Sequence, residues 1–181
     1  IFFCAASFQA GESGAEPGTT APEGNGAGLT AAQLRGLLTI VKVNNELERI
    51  ADAATFIAER VISLGQREDP LPETTRVMTN SVIGILRDAN DAFGQRDPKL
   101  AKVVLASEDT VKDFRRRIAR KAEERVADGR MSVDVAFDLG EIVSQATMIA
   151  DHCTNIAEQV IYECSGAIVR HMEGRWREIS C

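Results

Sequence analysis

Fifteen residues from Glu48 to Ile62 recur 99 positions later, as Thr147 to Ile161. Nine of the fifteen are identical: Ile50, Ala51, Asp52, Thr55, Ile57, Ala58, Glu59, Val61 and Ile62. Both copies lie in stretches whose apolar residues recur at steps of three and four, which is the period of a helix with one buried face. A repeated unit of this kind cannot bury its apolar face alone, so the copies are expected to pack on one another or on further helices.

Four helical stretches carry that pattern. Thr30 is a candidate N-cap for the first, which reads to Leu64 and stops at Gly65. Its apolar stripe is Leu34, Leu37, Leu38, Val41, Leu47, Ile50, Ala54, Ile57, Val61 and Leu64. After Pro70 and Pro72 a second helix is predicted over Glu73–Gln95. Asp97-Pro98 is an N-cap followed by proline at the first helical position, opening a third over Pro98–Ala127. The fourth reads from Ser132 to Ser165 and ends at Gly166. No stretch alternates with period two, so the predicted fold is all-α, an antiparallel helical bundle with short connections.

The three helices from Glu73 to Ser165 form one complete unit, residues 70–171. The first unit shows only its last long helix, residues 29–66, so part of that helix's apolar stripe is expected to lack cover within the chain. Residues 1–28 are rich in Gly, Pro, Ala, Thr and Glu and are predicted to be unstructured. The apolar run Ile1–Phe8 is too short to cross a bilayer. Residues 172–181 form a tail.

A net charge of −6 argues against a general nucleic-acid binder. The run Arg115, Arg116, Arg117, Arg120, Lys121 and Arg125 reads as a solvated face paired with nearby acids such as Glu123 and Glu124. The cysteines are Cys4, Cys153, Cys164 and Cys181, with no C-x-x-C. Cys153 and Cys164 sit ~16 Å apart along one helix and cannot bond to each other. The pattern favours reduced thiols over a disulfide framework or a thiolate zinc site.

Two acid pairs at four-residue spacing are candidate hard-cation ligands. Glu48 and Asp52 share one helix face, and Asp109 and Asp113 share another. Antiparallel packing of the third and fourth helices brings the second pair toward Asp151, an arrangement in which like charges favour a bound cation. His152 and His171 each lack an acid three residues before them, so the Glu-x-x-His of a di-iron oxidase is absent. His152 reads as a helix-surface side chain. No nucleophile–base pair or phosphate loop appears, so the chain is predicted not to be an enzyme.

Leu47-Glu48-Arg49-Ile50-Ala51-Asp52 resembles the signature of the PhoU family, whose members repeat a three-helix unit with such a motif in the last helix. Ile149-Ala150-Asp151-His152-Cys153-Thr154-Asn155-Ile156-Ala157-Glu158 resembles the second copy, and Ile168-Val169-Arg170-His171 its ending. The resemblance spans residues 30–171. It implies PhoU-like repeats with an incomplete first unit. It also implies multinuclear clusters of divalent or ferric ions (iron, zinc or magnesium) held by Glu48, Asp52, Asp109, Asp113 and Asp151. Thr147 stands where the second motif carries its glutamate, which weakens that site.

The implied role is a cytoplasmic negative regulator of phosphate homeostasis and the phosphate-starvation response. Its implied partners are a sensor histidine kinase and a phosphate ABC transporter subunit. The uncovered stripe adds an expected homodimer. The alternative is the C-terminal PhoU-like module of a sodium–phosphate cotransporter.

Overall fold

A computed structural model describes residues 28–65, 71–169 and 178–179. Five helices run in chain order: α1 (Ala31–Leu64), α2 (Glu73–Gln95), α3 (Pro98–Ala106), α4 (Glu108–Ala127) and α5 (Val133–Ser165). Among the described residues there is no strand. The segments 1–27, 66–70, 170–177 and 180–181 lie outside the described residues, and with them the apolar start, most of the linker and most of the tail.

Local chemistry sets the boundaries. Thr30 and Gln33 form a reciprocal capping box at the start of α1: the Gln33 N–H donates to Thr30 Oγ1 at 3.2 Å and the Thr30 N–H to Gln33 Oε1 at 2.9 Å. Asp97 caps α3, accepting from Lys99 N at 2.8 Å and Leu100 N at 3.2 Å, with Pro98 pre-set for the first turn. Ser132 accepts from Val135 N at the start of α5. Gly166 ends that helix at φ +73°, a left-handed backbone where glycine is free of Cβ strain.

The third predicted helix is two. Ser107 interrupts the 98–127 stretch: its N–H turns back three residues to Val104 O at 3.1 Å, and its hydroxyl donates to the same carbonyl at 2.6 Å. A serine that satisfies backbone groups locally competes with the regular helical ladder. Glu108 and Asp109 then open α4 with negative charge at its amino end.

The helix α5 is the spine. It touches every other helix and buries fifteen of its thirty-three residues, whereas α1, a helix of 34, buries five. The core comprises Leu139, Val143, Ile156, Val160 and Ile161 of α5 with Met78 and Val82 of α2, Val104 of α3 and Ile118 of α4. The remaining long helix, α1, packs chiefly on α5, antiparallel to it.

Its seam is not the stripe expected from the sequence. Among its buried and half-buried residues, Thr39, Val43, Glu46, Ile50, Ala53, Ile57, Arg60 and Leu64 form one strip. Their steps of four and three make the 3.5-residue repeat of two helices packed side by side. Leu34, Leu37, Leu38, Val41 and Val61 instead remain exposed. The apolar stripe gave the helix correctly, but α5 takes an adjacent strip in which two charged residues, Glu46 and Arg60, are included because α5 supplies their partners.

Replacing Asp97 by Ala removes the acceptor for two α3 backbone donors and is expected to lower unfolding free energy by about 1 kcal/mol. Urea denaturation followed by circular dichroism measures it, and an unchanged midpoint would show that the cap contributes nothing.

Candidate functional site

Glu48 and Asp52 project into solvent from α1, one turn apart and outside its seam with α5. They supply two carboxylates, whereas hard cations ordinarily take six or more oxygens, part of them from water. Among the described residues, no group of three or more His, Cys, Asp or Glu side chains is arranged to hold a metal ion.

The second acid set is drawn apart by basic neighbours. Asp113 is held by Arg117 Nε at 2.9 Å and by Arg116 at 3.3 Å. Asp109 is exposed on the first turn of α4. Across the α4–α5 groove, the charged neighbours that act on Asp151 are Glu108, Lys112 and Arg115 of α4. Lys112 also bonds to Glu108, so an ammonium already neutralises the carboxylates facing each other there. The hydroxyl of Thr147 is buried and donates to Val143 O at 2.8 Å, turned away from any ligand role. The described residues of this chain thus do not by themselves assemble a multinuclear metal cluster.

Asp151 is exposed at its edge of α5, but loss of water on the α4 side raises its carboxyl above the ordinary value, and Glu108 adds to the rise. Lys112, His152 and Arg115 pull the other way. Hydrogen bonding to Glu108 raises Lys112 in turn.

The most constrained polar group was missed in the sequence. Glu46 of α1 reaches into α5, where its Oε2 accepts from His152 Nδ1 at 2.6 Å and from Asn155 Nδ2 at 3.0 Å. His152 is 7% exposed, so it is a seam residue and not a helix-surface one. Its partner lies 106 positions away and is offset from the 99-residue repeat, so comparing the two copies could not pair them. The usable signal was the position of Glu46 in the heptad that also holds Val43 and Ile50.

Two more polar contacts set the register of the seam. Arg60 Nε ion-pairs with Glu141 Oε2 at 2.9 Å and its guanidinium lies 3.6 Å from the buried Asp138. Lys42 sits over the Tyr162 ring at 5.7 Å. Lys42 matches early α1 to late α5 and Arg60 matches late α1 to early α5, and the antiparallel register places the middle of the seam near Ile50 and Ile149.

On α4, the arginine run forms the ion-paired face expected of it. Arg116 and Arg117 share Asp113, Arg117 covers the Phe114 ring at 4.8 Å, and Arg120 pairs with Glu124. An apolar groove of about 570 Å³ lies between α4 and α5, floored by Ile118, Ala122, Leu139 and Gly140 with Arg115 and Glu123 at its rim. It brings no nucleophile and base together.

The cysteines differ from one another. Cys153 is a free, fully buried thiol whose pKa is pushed up to about 12 by burial, so it is inert. Cys164, exposed on the last turn of α5, is disulfide-bonded, contrary to the reduced state read from the spacing. The expectation failed because spacing along one helix tests only the Cys153–Cys164 pair, and the other two cysteines lie outside the described residues.

A bundle of long antiparallel helices, with one motif repeated on the two that form its central seam, is the architecture of phosphate-transport accessory proteins of the PhoU type. Residues 75–160 match the family model described as the PhoU domain. The chain belongs to the PhoU family. It is 32% identical over 133 residues to the phosphate-specific transport system accessory protein PhoU homolog 1 of Thermotoga maritima, covering 72% of this chain and 57% of that one. The Aquifex aeolicus PhoU homolog is 34% identical over 143 residues, covering 78% and 64%. The crystal structure of PhoU from Pseudomonas aeruginosa superposes with a TM-score of 0.73 at 29% identity, covering 77% of this chain and 68% of that one. The chain thus matches somewhat over half the length of the two curated relatives.

Two measurements test the polar groups. Glu46→Ala and His152→Ala are each expected to destabilise the fold by about 1–3 kcal/mol, because each leaves a buried partner unsatisfied. The double variant should cost clearly less than the sum, and strict additivity in a double-mutant cycle would mean that the pair is uncoupled. Asp151→Asn is expected to be neutral or to stabilise by a few tenths of a kcal/mol at pH 7, after discounting for solvent screening. Its sign follows from linkage: with a raised native pKa the charged aspartate costs stability at neutral pH, and that cost is removed as pH falls through the native value. The advantage of Asn should therefore shrink as pH falls toward the ordinary aspartate value of about 4 and be gone below it, as thermal melts across pH will show.

Proposed function

We propose that this chain is a cytoplasmic regulator of phosphate transport and of the phosphate-starvation response, acting by docking and without turnover. Its proposed partners are a phosphate ABC transporter subunit and a sensor histidine kinase. Names of the relatives, phosphate-specific transport system accessory proteins, support the transport link. Among the described residues no helix is long and apolar enough to cross a membrane.

One observation carries the docking reading. Val61 and Ile62 of α1 are 50% and 73% exposed, whereas their repeat equivalents on α5, Val160 and Ile161, are 2% and 0% exposed. Identical side chains at equivalent positions are covered in one copy and left bare in the other. With Leu34, Leu37, Leu38 and Val41 they make an exposed apolar face along α1, of the kind that marks a protein–protein contact. We assign it to a second copy of the chain. The pair Glu48 and Asp52, lying on the same helix, would supply two oxygen donors to an iron, zinc or magnesium ion shared with further carboxylates of the assembly.

Light scattering on the purified chain should give a dimer, and Val61→Lys with Ile62→Lys should give a helical monomer; a wild-type monomer at tens of micromolar sinks the dimer. Metal analysis should show a content that Glu48→Ala plus Asp52→Ala abolishes, and equal metal in both samples removes those residues from the site. For the regulatory role, expression in a bacterial strain lacking its own phosphate-transport accessory protein should restore repression of a phosphate-starvation reporter. Persistent constitutive expression would count against it.

A further inference from the structure

The groove between α4 and α5 is open because small side chains line its walls: Ala119 and Ala122 on α4, Ala136 and Gly140 on α5. Gly140 is the informative one. A glycine inside a helix is costly relative to alanine, yet a Cβ placed there would meet nothing within 4 Å. Nothing within the chain requires a glycine at that point, whereas a group approaching from outside would. Along α4 the groove runs from Arg115 to Ala127, about 18 Å or three helical turns. The apolar surface continues past it on α5: Phe137, one turn before Gly140, is 65% exposed, and Val133, one turn earlier, is 70% exposed.

The α4 rim is strongly basic. From Lys112 to Lys121 six cations stand against one acid, Asp113, in a chain whose net charge is −6. Arg116 and Arg117 share Asp113, and Arg120 pairs with Glu124. Among the described residues, Arg115 and Lys121 have no carboxylate within ion-pair distance. Arg115 stands at the end of the groove near Asp151, an acid that also acts on Lys112. Arg116 and Arg120 lie one turn before Ala119 and Glu123, on the same edge. Exposed ion pairs contribute little to stability, so these arginines can turn to a partner's acids at small cost.

We propose that the α4–α5 groove seats an acidic amphipathic helix of a partner protein. That helix lays an apolar face, spaced i, i+3, i+4 and i+7, into the groove and presents glutamates or aspartates to Arg115, Arg116 and Arg120. The small residues let its backbone come to the near end of the helix-packing range of about 8–10 Å. Charge sets its direction: the acids lie toward Arg115 and away from Glu123, which stands two turns further along the rim. A small ligand would stay largely uncovered in a groove open along its length, and a flat anionic membrane would leave the floor of Ile118 and Leu139 unfilled. This surface goes beyond the dimer assigned to α1. It lies on different helices, so either contact can fail without the other.

Fluorescence anisotropy with the full chain tests this. The probe is a labelled, hydrocarbon-stapled helix of about four turns, with Leu at the four apolar positions and Glu on both flanks; its twin carries Lys for every Glu. The Glu probe should bind about tenfold or more tightly than the Lys twin, and its affinity should fall as salt is raised. Gly140→Leu fills the groove and should weaken binding about tenfold with no loss of helicity or melting temperature. Ala119→Leu, on the opposite wall, should do the same. Arg115→Glu should narrow the preference for the Glu probe, and Val61→Lys with Ile62→Lys should leave its affinity unchanged. No binding of the Glu probe at about 1 mM, equal affinity for the twins, or binding that ignores both groove-filling variants would each overturn the proposal. So would loss of self-association in Gly140→Leu by light scattering, which gives the groove to a second copy. Pelleting with phosphatidylglycerol vesicles that Arg115→Glu abolishes, without probe binding, gives the rim to a membrane and overturns it too.

Discussion

The burial of α5 is the constraint on which the other helices depend. A helix whose apolar residues surround its axis has no solvent-facing solution and must be enclosed. Ile156, Cys153 and Ile161 are fully buried, and the helix meets α1, α2, α3 and α4. Remove α1 and a seam containing Ile149, Ala150 and the His152–Asn155 pair faces water; remove α2–α4 and the Leu139–Val160 side does. The 33-residue length of α5 also sets the length of the bundle, since α1 runs along it and α2 to α4 double back to cover the rest.

The seam between α1 and α5 is unusual in its polarity. A purely apolar seam of two long helices tolerates sliding by a heptad, because one Val or Ile fits about as well as the next. Glu46 hydrogen-bonded to His152 and Asn155, and Arg60 ion-paired with Asp138 and Glu141, find these partners in a single register. A slip of one heptad would bury at least two charges without partners, a cost of several kcal/mol. The polar contacts therefore choose the alignment, and the apolar residues between them supply most of the attraction. This fixes where the two copies of the motif meet.

That division explains what could be read from the chain beforehand. Helix existence and most ends were legible because they rest on local signals: the cap at Thr30, the Asp97-Pro98 start, Ser132 and Gly166 each act within four residues. The break at Ser107 was not, since serine is tolerated in helices and only its bond to Val104 O reveals the interruption. The seam was hidden for a different reason. Which strip of α1 faces α5 depends on α5, and the most apolar strip was the wrong guess because Glu46 and Arg60 are compensated from 106 and 81 positions away. The acid pairs were found as residues but not as a cluster: Asp113 belongs to Arg116 and Arg117, and Lys112 stands between Glu108 and Asp151.

The repeated motif therefore carries two separable requirements. Ile50 with its neighbour Ala53, and Ile149 with Ala150, are buried where the two long helices meet, so any change there disturbs the scaffold. Glu48 and Asp52 are exposed and support no packing. In the second copy the packing half is intact while the position equivalent to Glu48 is Thr147, folded into the core and bonded to its own helix. A carboxylate there would have to be desolvated without a cation beside it, at a cost that a threonine bonded to its own backbone avoids. Family membership written in Ile, Ala and Asp is thus evidence first of how two helices touch. The chemistry of the acids depends on what else comes to the open face of α1.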